Sequence, residues 1–90
     1  MEKIIITVVG KDRVGIIGRV CTFLSNANIN ILDISQTIVA GFFNMMVVAD
    51  MSASKKPFQE IEAELKELGI DMNLRIQTQR EEIFTAMHRI

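Results

Sequence analysis

The first apolar segment of the chain shows little polar alternation. Residues 3–10 are rich in Ile and Val, which is typical of a strand covered on both faces in the middle of a sheet. After the short segment KDRVG, apolar residues recur at spacings of one, three or four, and this periodicity predicts a helix. Its apolar stripe consists of Ile16, Ile17, Val20, Phe23, Leu24 and Ala27. The polar segment SNAN at 25–28 ends the helix.

Two strands joined by a turn at Gly41 are predicted next. Residues 29–40 have the alternation of a half-buried strand, and residues 42–51 resume as a more uniformly apolar strand, so the pair is predicted to be a β-hairpin. In the strand predicted at residues 29–40, alternate side chains point to opposite sides. Leu32, Ile34 and Ile38 lie on one side, and Asp33, Ser35 and Thr37 lie on the other.

The second half of the chain predicts a helix, a strand and a short terminal helix. Pro57 suits the first turn of the helix, and Gly69 is predicted to end it. Residues 70–79 show a clear period of two, which predicts a strand. The apolar stripe of the helix that begins near Pro57 is Phe58, Ile61, Leu65 and Leu68. The apolar stripe of the terminal helix is Ile83, Phe84, Met87 and Ile90.

This order of elements predicts an α+β fold of the ferredoxin-like βαββαβ type with an added C-terminal helix. Right-handed crossovers place the first and third strands at the centre of a four-stranded antiparallel sheet, with both long helices on one face. The opposite face then exposes some of Ile5, Val9, Met45, Val47 or their neighbours. Since such a patch usually marks a contact surface, we expect the C-terminal segment, a second subunit or both to cover it, and the protein to form a homodimer.

Composition narrows the class of protein. The 90 residues fit one domain, 1–90, with a core at 3–79 and a C-terminal helix at about 80–89. The net charge is −1 and the basic residues are scattered along the sequence, so no basic surface that would bind a nucleic acid is predicted. Cys21, the only cysteine, is predicted to be a buried thiol. No signal-peptide pattern and no apolar run long enough to cross a membrane are present, so a cytoplasmic protein without membrane association is expected.

The segment 10-GKDRVG-15 is the first candidate for chemistry. The first amides of a helix lack internal partners and carry the positive end of its dipole, so a ligand carboxylate could bind there, with Asp12 meeting an ammonium group. Gly10 and Gly15 would allow close approach to the backbone. The alternative is that Asp12 only caps the helix and Gly15 serves packing. Asn30 is likewise either a turn residue or a ligand contact, and a ligand role for Asp33 is a weaker possibility.

Other kinds of site are poorly supported. The only histidine, His88, lies on the amphipathic tail and has no nucleophile or acid–base partner, and one Cys with one His does not make a metal site. Arg13 and Asn44 invite comparison with acylphosphatases, but the loop does not resemble their phosphate cradle. Phe42 and Phe43 are adjacent and so point to opposite faces, unlike the stacking aromatics of RNA-binding modules.

The stretch 12-DRVGIIGRVCTFLSNANINI-31 resembles the signature of ACT domains, in which an acidic or amide residue, a basic residue, a variable residue and Gly open the first helix. An Asn-Ile pair opens the second strand. The resemblance covers residues 3–79, and the whole chain is similar to stand-alone single-ACT proteins of the UPF0237 type and to the repeats of the glycine-cleavage transcriptional repressor.

This resemblance implies a non-enzymatic regulatory module that binds a small ligand, often an amino acid, at a dimer interface. In serine-binding members two loop side chains and an asparagine hold the ligand, and the matching positions here are Gly10, Asp12 and Asn30. Only Asn30 keeps the family's residue, since glycine replaces the first and an acid replaces an amide at the second. The alternative is a protein–protein interaction module without a ligand. No catalytic residue, metal or cofactor is predicted, and the candidate ligand-binding residues are Gly10, Lys11, Asp12, Val14, Gly15, Ile16 and Asn30.

Overall fold

Four strands and three helices make up the part of the chain that the computed structural model describes, residues 1–87. The order of elements matches the prediction. The bounds are β1 Lys3–Lys11, α1 Ile16–Asn26, β2 Asn30–Val39, β3 Phe42–Asp50, α2 Phe58–Asp71, β4 Leu74–Arg80 and α3 Glu81–Met87. His88 and Ile90, which were assigned to the terminal helix, lie outside the described residues.

The four strands form one antiparallel sheet in the order β2-β3-β1-β4. This order confirms the ferredoxin-like topology, with β1 and β3 central and β2 and β4 at the edges. Alternate residues of β1 and β3 face α1 and α2, so the buried core lies between this face and the two helices. Its members include Ile4, Ile6, Val8, Val20, Leu24, Val47, Ala49, Ile61 and Leu65.

The face of the sheet away from α1 and α2, here called the open face, is covered in part by α3. This helix contacts β1 and β4, and the Gln79 side-chain amide donates to Met87 Sδ at 3.2 Å. Ile5 belongs to the open face but is only 5% exposed. Farther along the same face Val9, Phe42 and Met46 remain exposed, whereas Met45 and Val47 face the helices.

The boundary between α2 and β4 differs from the prediction. The period-two pattern from Ile70 onward favoured a strand, yet α2 continues to Asp71, and β4 begins only at Leu74. Asn73, with φ of 57°, makes the reversal between them. Gly69 therefore lies inside the helix instead of ending it. A Cβ on Gly69 would lie 2.9 Å from the Leu74 carbonyl oxygen, so this glycine allows α2 to pack against β4.

Strand β2 is more exposed than a half-buried strand should be. Asp33 and Thr37 lie on the open face as predicted, but Ile34 and Ile38 on the other face are 41% and 59% exposed. A register shift between Ile31 and Asp33 marks a β-bulge. The outer edge of β2 thus presents apolar side chains on a strand with one unpaired edge.

Candidate ligand-binding loop

The first two candidate residues belong to β1 and not to a loop. Lys11 pairs with Phe42 and is exposed, while Gly10 lies between Phe43 and Leu74 of the neighbouring strands. A Cβ on Gly10 would come within 2.5 Å of Leu74 Cδ2 and 3.3 Å of Leu74 Cα. The absence of a side chain at Gly10 is therefore explained by packing against β4.

The loop between β1 and α1 is held by its main chain. The Asp12 N–H donates to the Gly41 carbonyl oxygen at 2.9 Å, which fixes the loop against the β2–β3 turn. Gly15 is the N-cap residue, with φ of 95°, a conformation that side chains disfavour. Ile16 begins the helix and is buried in the core.

The prediction that Asp12 caps α1 is wrong. No side chain caps this helix, because Gly15 stands three residues beyond Asp12 at the N-cap position. Asp12 is exposed, and Val14 is 100% exposed. The first amides of α1 have no acceptors within the helix, so the loop combines unsatisfied donors with an accessible carboxylate.

Two arginines attach this region to the end of α2. Neither of them is among the predicted ligand-binding residues. Arg13 Nη1 donates to the Met72 carbonyl oxygen at 3.1 Å, and Arg19 Nη2 lies 2.9 Å from Asp71 Oδ2. The carbonyl groups at a helix C-terminus favour cations, so both contacts have a clear electrostatic cause. The partners are more than fifty residues apart in sequence, and no local pattern could have revealed them.

Asn30 lies far from the loop within one chain. It is exposed at the first residue of β2, beside Asp50, which in turn pairs with Lys3 at the start of β1. Asp12 follows Lys11 at the opposite end of β1. Eight residue steps at about 3.3 Å each separate these ends of β1 by about 26 Å. The structure therefore brings Asp12, Val14 and Gly15 together but leaves Asn30 at the other end of the sheet.

The geometry does not support the remaining kinds of site. Arg13 is bonded to the end of α2, while Asn44 lies on the open face between Val9 and Thr37, so the pair proposed by analogy with acylphosphatases does not converge. Within residues 1–87 no group of three or more His, Cys, Asp or Glu side chains is placed to hold a metal ion. Cys21 is a free thiol and is only partly buried, which corrects the prediction of a fully buried one.

Phe42 and Phe43 point to opposite faces, as predicted, with Phe42 exposed and Phe43 buried in the core. None of the described helices is both long enough and apolar enough to cross a bilayer.

Comparison with known proteins identifies the family. A sequence profile of the ACT domain matches residues 2–79. The chain belongs to the ACT domain family. A UPF0237 protein of Bifidobacterium longum is 59% identical to this ACT protein over 90 residues, covering 100% of both chains.

Solved structures agree with this assignment. The ACT domain protein from Streptococcus pneumoniae is 40% identical, with a TM-score of 0.82 over 92% of this chain and 93% of that one. A protein described as a glycine cleavage system transcriptional repressor is 27% identical, with a TM-score of 0.75. That match covers 88% of this ACT protein and 45% of the other chain, so this ACT protein corresponds to about half of the larger one.

Proposed function

We propose that this ACT protein is a non-enzymatic regulatory module that binds an amino acid or a similar small zwitterion between two copies of the chain. The observation that supports this proposal is the hydrogen bond from Asp12 to Gly41. It places the candidate loop beside the β2–β3 turn, at the end of β2 opposite Asn30. An antiparallel pair of β2 strands would therefore place the loop of one subunit near Asn30 of the partner subunit.

Strand β2 has the properties of a dimer edge. It is ten residues long, lacks a strand on its outer side, and carries a single charged residue, Asp33. Natural edge strands of this length are usually guarded by charges, proline or short length, and an unguarded edge tends to pair. Joining two such edges about a two-fold axis gives one continuous eight-stranded sheet.

The exposed side chains of β2 select a register. With Gln36 opposite its own copy, Ile34 lies opposite Ile38 of the partner subunit, and Ser35 lies opposite Thr37 of the partner subunit. Apolar then faces apolar on the helix side, and hydroxyl faces hydroxyl on the open face, which are favourable cross-strand pairs. In this register Asn30 of the partner subunit comes beside the Ala40–Gly41 turn, to which the Asp12 amide is bonded.

The chemistry of such a site suits a zwitterion. The unpaired amides at the start of α1 would receive the ligand carboxylate. The exposed Asp12 carboxylate would meet the ammonium group, and the Asn30 amide can donate to one group and accept from the other.

A thermal-shift screen of the full chain with the common amino acids tests this function. A ligand that binds the folded state alone at about 100 Kd stabilises it by about 2.7 kcal/mol, which raises Tm by roughly 10 °C or more in a domain of this size. The shift should be lost in Asp12→Ala and in Asn30→Ala. A screen in which no amino acid or small carboxylate raises Tm would contradict the sensor function.

The second candidate is an interaction module that has no ligand. The exposed apolar row Val9, Phe42 and Met46 on the open face favours it, since such rows commonly mark protein contacts. A dimer whose Tm is insensitive to amino acids, and whose association with a partner protein survives Asp12→Ala together with Asn30→Ala, would support this candidate over the first.

A further inference from the structure

A large groove lies at the other edge of the sheet. It has a volume of about 660 Å³ and runs between α2 and the outer edge of β4. Its sheet side is formed by five consecutive residues, Leu74–Thr78, which include both parities of the strand. Because both parities contribute, the groove follows the main-chain edge of β4 and not one face of the sheet. Among residues 1–87 no strand pairs with that edge.

The helix side of the groove is a stripe of α2. Lys66 and Ile70 are four residues apart and so lie on one side of the helix, with Ala63 beside them. Ile70 is 70% exposed, an unusual position for a large aliphatic side chain next to a groove. Leu74 and Ile76 of β4 face this wall and are almost buried. The α2 side of the groove therefore presents the apolar Ala63 and Ile70 beside the charged Glu62 and Lys66, and the β4 side presents main-chain groups that no strand of the described chain pairs.

The charges of the groove are unbalanced. Lys66 and Arg75 form no ion pair with any residue of the described chain, and Glu62 is the one acidic residue of the lining. Arg75 lies on the open-face side of β4, while Leu74 and Ile76 lie on the helix side. A strand added beside β4 would thus meet Arg75 on the open face, and on the helix side it would meet mainly Ile70, Leu74 and Ile76, with Lys66 beside them.

We infer that the β4 edge binds an extended segment of a partner protein as a fifth strand, with apolar side chains directed toward α2 and at least one acidic side chain beside Arg75. Main-chain hydrogen bonds supply affinity in strand addition, and side chains of alternate parity supply specificity. Four residue steps from Leu74 to Thr78 span about 13 Å, so about five residues of the partner contact the groove. This surface is separate from the β2 edge and does not depend on ligand binding by the loop.

The occupant is a different protein and not the β4 edge of a second copy; the β2 edge, which carries Asp33, is the one assigned to the proposed dimer. A β4 strand from another copy would bring a second Arg75 to the groove and no acidic residue, because β4 contains none. The charge of the edge is therefore left uncompensated by self-pairing, while an alternating apolar and acidic segment compensates it.

Selection of random heptapeptides displayed on phage against the purified full chain tests the inference. Enriched peptides should alternate apolar and acidic residues, and the synthetic peptides should shift the backbone amide NMR signals of 74–78. Arg75→Glu should weaken their binding by about five- to tenfold, as expected when a favourable cross-strand charge pair becomes a like-charge pair. Ile70→Ser should weaken it as well, and proline at the peptide centre should abolish it.

Lys55→Glu is the matched control, because Lys55 is an exposed lysine that does not line this groove and its reversal makes the same change in net charge. Unchanged binding in this variant supports the inference. The inference is overturned if no peptide is enriched, or if the peptides shift the amide NMR signals of β2 or of the open face instead. It is also overturned if Lys55→Glu weakens binding as much as Arg75→Glu. It is also overturned if the 74–78 signals of the protein alone depend on its concentration, since a second copy would then occupy the edge.

Discussion

The main-chain N–H of Asp12 donates to the carbonyl oxygen of Gly41 across 2.9 Å, and this bond joins the β1–α1 loop to the β2–β3 turn. The loop is thereby placed at one end of the sheet edge formed by β2. Asn30 lies at the other end of the same strand, so the two halves of the candidate site are separated within one subunit. In the proposed dimer they would meet across the two-fold axis.

Mixing two inactive variants tests whether the site is shared between subunits. Asp12→Ala and Asn30→Ala should each abolish ligand binding alone. After the two chains are refolded together, a mixed dimer contains one site with both residues intact, and random pairing restores about a quarter of the wild-type sites. Calorimetric titration gives the stoichiometry. A mixture that binds as poorly as either variant alone would contradict a site built from two subunits.

The register of the proposed dimer predicts a specific disulfide. Gln36→Cys, in a chain whose own thiol is removed by Cys21→Ser, should form a disulfide-linked dimer under mild oxidation, because residue 36 lies opposite its own copy. Directly opposite residues of antiparallel strands have Cα atoms about 4.5–5.5 Å apart, which suits a disulfide.

Gln77→Cys, at the centre of the β4 edge, is the control for this experiment. Non-reducing electrophoresis should show a linked dimer for residue 36 and a monomer for residue 77. Cross-linking at residue 77 and not at residue 36 would move the dimer contact to β4, and would contradict both the proposed register and the proposed use of the β4 edge.

Substitution by alanine should change the free energy of unfolding in opposite directions at two helical glycines, Gly69 and Gly18. At Gly69 a Cβ would lie 2.9 Å from the Leu74 carbonyl oxygen and 3.0 Å from Ile76 Cγ1, so α2 would have to move away from β4. We expect Gly69→Ala to lower the free energy of unfolding by about 1–2 kcal/mol, the cost of overpacking exceeding the gain in helix propensity.

Gly18 in α1 has no atom within 4 Å of an added Cβ. We expect Gly18→Ala to raise the free energy of unfolding by about 0.5–1 kcal/mol, since alanine is the better helix former. Urea denaturation of the two variants measures both values. Equal effects of the same sign would show that contact with β4 does not determine the residue at position 69.

The environment of the Asp50 carboxyl should make the free energy of unfolding depend on pH. Hydrogen bonds from the Ser52 hydroxyl, the Ser52 amide and the Glu2 amide lower the pKa of the Asp50 carboxyl below its ordinary value. A pKa that is lower in the folded state means that the unfolded chain binds the proton more tightly. The stabilisation is therefore complete above the ordinary carboxyl pKa and is lost as the pH falls through the folded value.

Urea denaturation between pH 7 and strongly acidic pH should show this change. Asp50→Asn should be less stable than the wild type at neutral pH, and the difference should shrink in acid. Ser52→Ala removes the main donor and should reproduce part of the effect, with less than additive loss in the double variant. A constant difference between Asp50→Asn and the wild type across this pH range would contradict the assignment.

The sequence predicted the fold well because local periodicity and chain topology both pointed to the same arrangement. The Ile- and Val-rich run of β1 distinguished it as a central strand, and the hairpin and crossover rules then left one strand order. The same rules failed at residues 70–73, where a period of two occurs in the last turn of a helix. The Met72 N–H there still donates to the Leu68 carbonyl oxygen at 3.1 Å, so the helical bonding continues past Gly69.

The sequence proposed residues for the candidate site but could not give their geometry. A carboxylate three residues before a glycine matches both a helix cap and a binding loop, and only the backbone path shows that Gly15 takes the N-cap position and leaves Asp12 exposed. Arg13 also carried no signal, because its acceptor is the main-chain carbonyl of Met72 and any residue type supplies that group.

The sequence by itself determined the elements, their order, the strands at the edges and the identity of the polar residues near the loop. These follow from side-chain periodicity, turn chemistry and the handedness of connections, which act over short stretches of chain. The tertiary structure decided which end of the sheet each residue occupies and what holds the loop. Those properties depend on contacts between residues distant in sequence, such as Asp12 with Gly41 and Arg13 with Met72.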